Sequence, residues 1–283
     1  MNVWKIGDVK VTRVVEIQAT GGTRFILPQA TPDAVKPIEW LTPHFATDEG
    51  KLIMSIHALI VDTGSRRIIV DTCLGNDKER EIPAWNKLQT TFLEDLETAG
   101  YPRESIDTVL CTHLHVDHVG WNTMLRDGEW VPTFPNARYL MGAEEWAYWK
   151  DASQEEFGDV IGDSVMPIIS AGLADFVDMD HQICEEVKLF PSTGHTPGHV
   201  SVEIKSRNEE AVITGDSTHH PCQIAHPEWS STADYDQEAS WKTREAFYSK
   251  YADTNTLIIG THFATPSAGY LKKTESGNYW LEV

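Results

Sequence analysis

Between positions 113 and 118 the chain carries three histidines and an aspartate, His113, His115, Asp117 and His118, and this cluster constrains the fold more than any other feature. Imidazole and carboxylate are what zinc and similar divalent ions accept as ligands, and four of them in six positions call for a turn fixed to a regular element. Thr108 to Cys111, just before, is a short apolar run that predicts a buried strand. The cluster then falls past a strand's C-terminal edge, where open α/β sheets place their sites. Three later segments each set one metal-type side chain beside a glycine: Gly194-His195, Gly215-Asp216 and Gly260-Thr261-His262. Seven such donors are too many for one tetrahedral ion and suit two.

The rest of the chain supports a mixed α/β plan. Val- and Ile-rich runs predict strands over Trp4 to Glu16, Leu52 to Asp62 and Arg67 to Asp71, the last two joined as a hairpin through Thr63-Gly64-Ser65. Leu88, Phe92, Leu93 and Leu96 stand near helical spacing, so a helix is predicted over Leu88 to Ala99, ended by Gly100. Further helices are predicted around Ala143 to Lys150 and Asp234 to Tyr251, and strands near Val200 to Ile204, Ala211 to Thr214 and, as the final one, Thr256 to Ile259. Between the first strand and the hairpin, Gly21 to Gly50 contains Pro28, Pro32, Pro37 and Pro43 with Phe25, Trp40 and Phe45. Prolines argue against regular structure there, and a loop of that length with aromatics reads as a lid or a subunit contact. No fixed-period repeat is present, and residues 1–283 are read as one domain.

Charge narrows the partners. With 43 acidic and 23 basic residues the net charge is −20, which repels phosphate backbones and anionic lipid, so a small-molecule partner is expected and nucleic acid and membrane are not. Four scattered cysteines, Cys73, Cys111, Cys184 and Cys222, form neither a CxxC pair nor a dense framework and read as reduced thiols. No basic-then-apolar leader opens the chain and no run approaches the ~20 apolar residues of a membrane span, which leads to a cytoplasmic expectation.

His113-Leu114-His115-Val116-Asp117-His118 matches the HxHxDH motif of the metallo-β-lactamase superfamily, and His195, Asp216 and His262 resemble its remaining ligands in identity and order. The resemblance implies a four-layer αββα sandwich and two metal ions. It assigns His113, His115 and His195 to one, Asp117, His118 and His262 to the other, and Asp216 to both. Zinc suits the set, as manganese, cobalt or iron also can. Asp71, after Ile68-Ile69-Val70, looks like the superfamily's ligand-orienting carboxylate, and His199 reads as a supporting histidine.

Within the superfamily the chain is most similar to the lactonase and esterase branch, including acyl-homoserine-lactone lactonases of quorum quenching and methyl-parathion-hydrolase-like enzymes. That implies ring opening or ester cleavage by a metal-bridging hydroxide, with Asp117 moving a proton, and dimerisation through the Pro-rich loop. One departure is visible: where several of those lactonases place a tyrosine soon after the bridging aspartate, Ser217-Thr218-His219-His220 follows here. His219 or His220 is the candidate for that oxyanion-side position. The alternatives are a phosphotriesterase or β-lactam hydrolase on the same site, or an iron redox protein of the same fold.

Overall fold

The computed structural model describes residues 2–152 and 157–283. The chain divides into two compact units, each assembled from separated stretches of sequence: residues 3–16 and 56–181 in the first, residues 17–55 and 182–283 in the second. Each unit is best understood from its parallel strand pairs, because those are where the ligand-type residues lie.

The first sheet orders seven strands as Val3–Ile6, Val9–Thr20, Ile53–Asp62, Arg67–Val70, Thr108–Leu110, Arg138–Gly142 and Ala174–Val177. Val3–Ile6 and Val9–Thr20 form an antiparallel pair turning at Gly7, so the run expected as one strand is a hairpin. The Ile53–Asp62 and Arg67–Val70 hairpin forms where expected. From Arg67–Val70 onward every neighbouring pair is parallel. Parallel pairing needs a crossover, and the helix Phe92–Thr98 supplies the first one. That helix starts later than its apolar spacing predicts because the side chain of Asn76 brackets Thr90, accepting from its N–H at 2.8 Å and donating to its carbonyl at 3.0 Å. Residues Ile68, Ile69, Val70, Val109 and Leu110 are all buried, as strands covered on both faces require.

The second sheet orders Gln182–Cys184, Val187–Pro191, Val200–Ser206, Glu209–Ile213, Leu257–Ile259, Ala268–Lys273 and Tyr279–Glu282. Glu209–Ile213 and Leu257–Ile259 are parallel, with the helix Gln237–Tyr251 between them in sequence, capped at its start by Asp236. Leu257–Ile259 is not the final strand. Two more follow, paired antiparallel through Tyr270 and Glu282.

The segment from Gly21 to Gly50 corrects its expectation. It contains short helical turns at Thr23–Phe25, Pro32–Val35 and Glu39–Leu41, with Pro32 in the first helical position, where the missing N–H costs nothing, and Thr31 capping the turn. Leu27, Val35, Leu41 and Phe45 are buried in one cluster with Phe247, Tyr248, Tyr251 and Phe263. This stretch is therefore part of the second unit's core rather than a detached lid. Among the described residues no helix is long and apolar enough to cross a membrane.

Candidate metal centre

In the first unit, two neighbouring parallel strands end side by side. Arg67–Val70 runs into Asp71, and Thr108–Leu110 runs through Cys111 and Thr112 into His113, with the short helix Val116–Val119 carrying Asp117 and His118. Asp71 holds φ 55° and spreads its carboxylate over the neighbouring turn. Its Oδ1 accepts from Thr112 N at 2.8 Å, and its Oδ2 accepts from Thr112 Oγ1 at 2.9 Å and from His118 Nδ1 at 2.8 Å.

Those bonds set the tautomers. A carboxylate only accepts, so the Thr112 hydroxyl spends its single proton on Asp71, and the contact of 3.1 Å between His113 Nδ1 and that hydroxyl must be donated by the ring. His113 and His118 thus both carry their proton on Nδ1, which makes Nε2 the acceptor atom of each ring. His115 Nδ1 lies within hydrogen-bonding distance of His113 Nε2, at 3.1 Å. Glu145 steadies the turn, accepting from Leu114 N at 3.0 Å and from Trp149 Nε1 at 2.6 Å, while Trp149 packs edge-on against His115. Asp117 is half-buried, with Oδ1 3.6 Å from His118 Nε2.

The second unit repeats the logic. Glu209–Ile213 ends at Thr214-Gly215-Asp216, and Leu257–Ile259 ends at Gly260-Thr261-His262. His199 supports Asp216 from below, its Nε2 accepting Asp216 N at 2.8 Å while its Nδ1 sits 2.9 Å from the Ser192 carbonyl. Thr261 Oγ1 contacts Asp216 Oδ1 at 3.1 Å. His262 Nδ1 lies 3.1 Å from the Ser55 carbonyl, and its Nε2 lies 3.1 Å from Asp216 Oδ1 and 3.2 Å from Asp216 Oδ2. His195 Nδ1 stands 2.9 Å from Asp234 Oδ1, and its Nε2 lies 3.5 Å from Asp216 Oδ2.

Asp234 was not anticipated from the sequence. Burial works to raise its pKa, but the hydrogen bond and charge of His195, with His219 and Arg244 nearby, hold it down to about 2. Its only sequence signal is a place two residues before Asp236, the helix cap.

The two adjacent histidines part company. His220 has both nitrogens engaged, Nε2 donating to the Phe45 carbonyl at 2.9 Å and Nδ1 accepting Cys222 N at 3.0 Å, and burial pushes it down to about 4. These bonds fasten the loop after Asp216 to the core. His219 is equally buried, yet neither of its nitrogens makes a hydrogen bond. Its Nε2 lies 3.3 Å from Asp216 Oδ2, and its ring packs edge-on to His195 with centroids 4.7 Å apart. Burial lowers its pKa against the opposing pull of Asp216. Donor atoms of His195, Asp216 and His219 all fall within 4.8 Å of one another.

Phe45 and Phe263 are fully enclosed and packed edge-on at 6.1 Å, so they are core, whereas Phe25 is 54% exposed.

His113, His118, His195 and His262 thus each have Nδ1 held by a hydrogen bond, the arrangement that orients an imidazole ligand of a divalent ion. The donor set of imidazoles and carboxylates fits zinc or a similar ion.

A family model described as the metallo-beta-lactamase superfamily matches residues 54–262. An N-acyl homoserine lactonase from a Bacillus species is 25% identical over 158 residues, covering 55% of this chain and 56% of that protein. One from Bacillus thuringiensis is 22% identical over 181 residues, 59% of this chain and 66% of its own length. The chain therefore matches less than two thirds of the length of these relatives. Among solved structures, the hydrolase AbOPH of the beta lactamase superfamily aligns over 100% of this chain and 97% of its own, at TM-score 0.79 and 24% identity. The dizinc quorum-quenching lactonase AidC, solved with the product N-hexanoyl-L-homoserine, aligns over the same shares at TM-score 0.79 and 22% identity. At these identities the likeness shows the fold, which is the αββα fold anticipated from the motifs.

Proposed function

The chain belongs to the metallo-beta-lactamase superfamily, and from that membership we propose that it is a metal-dependent hydrolase opening a lactone or a carboxylic ester. The observation that carries this reading is the set of four histidines whose Nδ1 is held by a hydrogen bond, together with Asp117 and Asp216 in the same motifs. On the superfamily pattern, His113, His115 and His195 would hold one ion, Asp117, His118 and His262 a second, and Asp216 would serve both. Zinc is our choice, because the set is rich in imidazole. Bound ions would supply Lewis acidity and a water acidic enough to ionise near neutral pH.

The chain's own residues do the rest. Asp71 and Asp234 hold ligand rings in the required tautomer, so no reorientation is needed when substrate arrives. Asp117, half-buried and able to exchange protons with solvent, passes a proton to the departing alkoxide oxygen. His219, desolvated and with no hydrogen bond of its own, donates to the substrate carbonyl oxygen as negative charge develops there. The lactonase relatives support a lactone as first choice, and the absence of a tyrosine at His219 leaves the acyl group unassigned.

The test is hydrolysis by metal-analysed protein across acyl-homoserine lactones, γ- and δ-lactones, p-nitrophenyl esters, a phosphotriester and a penicillin, repeated with His115→Ala. Lactone or ester turnover that disappears in the variant, with about two ions per chain in the parent, is the expected result. A fully metallated protein that hydrolyses none of the panel overturns the proposal, and turnover confined to the phosphotriester or the penicillin reassigns the substrate.

A further inference from the structure

Arg244, in the helix Gln237–Tyr251, is the largest fully buried side chain among the described residues. A guanidinium without solvent is costly unless its donors are met and its charge is balanced. Its Nε donates to the Pro227 carbonyl at 3.0 Å, Nη2 to Ser230 Oγ at 3.0 Å and Nη1 to Ser240 Oγ at 2.6 Å. Two further contacts point toward the ligands. Nη1 lies 3.6 Å from Asp234 Oδ2, and it reaches the carbonyl of Ser217, the residue after Asp216, at 3.5 Å.

Asp234 transmits the first contact. Its Oδ1 takes the His195 Nδ1 proton at 2.9 Å, and its Oδ2 accepts Ser231 N at 3.0 Å. The same loop holds the backbone around His195, with Tyr235 N donating to the His195 carbonyl at 2.9 Å and Asp236 N to that of Gly194 at 3.0 Å. One guanidinium therefore braces, from behind, both the carboxylate that aims His195 and the turn that carries Asp216.

Packing alone does not require a buried ion pair, since replacing a whole pair by apolar side chains of similar volume is often neutral or stabilising. What an apolar group cannot do is balance the buried carboxylate of Asp234 while gripping Ser217. We propose that Arg244 is a positioning residue of the metal centre, acting through Asp234 on His195 and through Ser217 on Asp216. The inference rests on the metal-binding reading above.

Chelator competition for zinc and the visible absorption of the cobalt-substituted protein test it on the full chain. Arg244→Met is expected to weaken zinc binding by about 10–100-fold, the usual loss when an outer partner of a metal ligand is removed, and to alter the cobalt bands. Arg244→Lys, which keeps the charge without the fork, should recover part of that loss. A folded Arg244→Met protein with parental zinc affinity and an unchanged cobalt spectrum overturns the inference. Should Arg244→Met fail to fold, Ser240→Ala carries the test: it strips one hydroxyl from the guanidinium, and a measurable fall in zinc affinity supports the role while parental values overturn it. A parent chain that binds no divalent ion overturns the metal reading itself, an outcome distinct from a variant that binds as the parent does.

Discussion

At the scale of single residues, identical chemistry is put to opposite uses by what surrounds it. His219 and His220 are neighbours in sequence and equally buried, but His220 has its two nitrogens consumed by Phe45 and Cys222 while neither nitrogen of His219 makes a hydrogen bond. A buried polar group without a partner is tolerated at a functional position and penalised elsewhere. His219→Ala should therefore lower kcat/KM by about 10²-fold, the order seen when an oxyanion donor is removed, with metal content unchanged. His220→Ala should do the reverse: kcat/KM per folded molecule stays at the parental value, while stability drops by about 1–3 kcal/mol as two backbone groups lose their partner. Steady-state kinetics with metal analysis and denaturant titration on both variants check the pair. Equal catalytic losses would refute the division of roles.

At the scale of elements, the turn that carries His195 has no backbone freedom to differ. Gly194 has φ 123°, and a Cβ there would stand 2.3 Å from the backbone nitrogen of Ser240, so the His195 turn and the start of the helix Gln237–Tyr251 meet backbone to backbone. Gly194→Ala should cost about 3 kcal/mol or more, because the conformation is nearly glycine-only and the clash is with main chain; thermal unfolding of the metal-free protein measures it. A second element, the loop after Asp71, is pinned by charge. Lys78 and Arg80, each with a side chain 1% exposed, share Asp163, at 3.3 Å from Lys78 Nζ and 2.6 Å from Arg80 Nη1, and burial pushes Lys78 down to about 8 despite the attraction of Asp163. A lysine whose folded pKa lies below its unfolded value of ~10.4 binds its proton more weakly when folded, so stability rises with pH between about 8 and 10. Relative to Lys78→Met, the parent should gain on the order of 3 kcal/mol across that window, read from urea unfolding at each pH; a difference that stays flat would deny the shift.

The same elements explain what could be read in advance. The candidate ligand residues stand out because metal chemistry admits few residue types, and the strands leading to them because short apolar runs are bounded by glycine turns. The hairpin Thr123–Arg126 with Glu129–Pro132 was overlooked, although its Asp127-Gly128 turn, with both residues at positive φ, is a strong local signal. Asp234 and Arg244 could not be found in this way. Their roles arise from contacts between residues 195, 217, 234 and 244, and no spacing along the chain encodes them.

At the scale of the whole molecule, if the proposed lactone is the substrate, the net charge of −20 would bear on turnover through the product. A lactone is neutral, but its hydrolysis yields a carboxylate, and a strongly acidic protein disfavours the anion at its surface through a field extending about a Debye length. Neutral substrate would approach without opposition while product is driven off. Raising ionic strength from about 10 mM to 1 M shortens the Debye length from ~30 Å to ~3 Å, so the repulsion fades while close contacts at the buried ligands change less. Product inhibition by the ring-opened hydroxy acid should therefore tighten severalfold with salt, and KM for the neutral lactone should stay flat. Initial rates with added product at the two salt concentrations decide the matter. If the inhibition constant is indifferent to salt, the acidic surface takes no part in product release; if it weakens, attraction at the ligand site dominates the long-range field, and the charge excess must be accounted for outside catalysis.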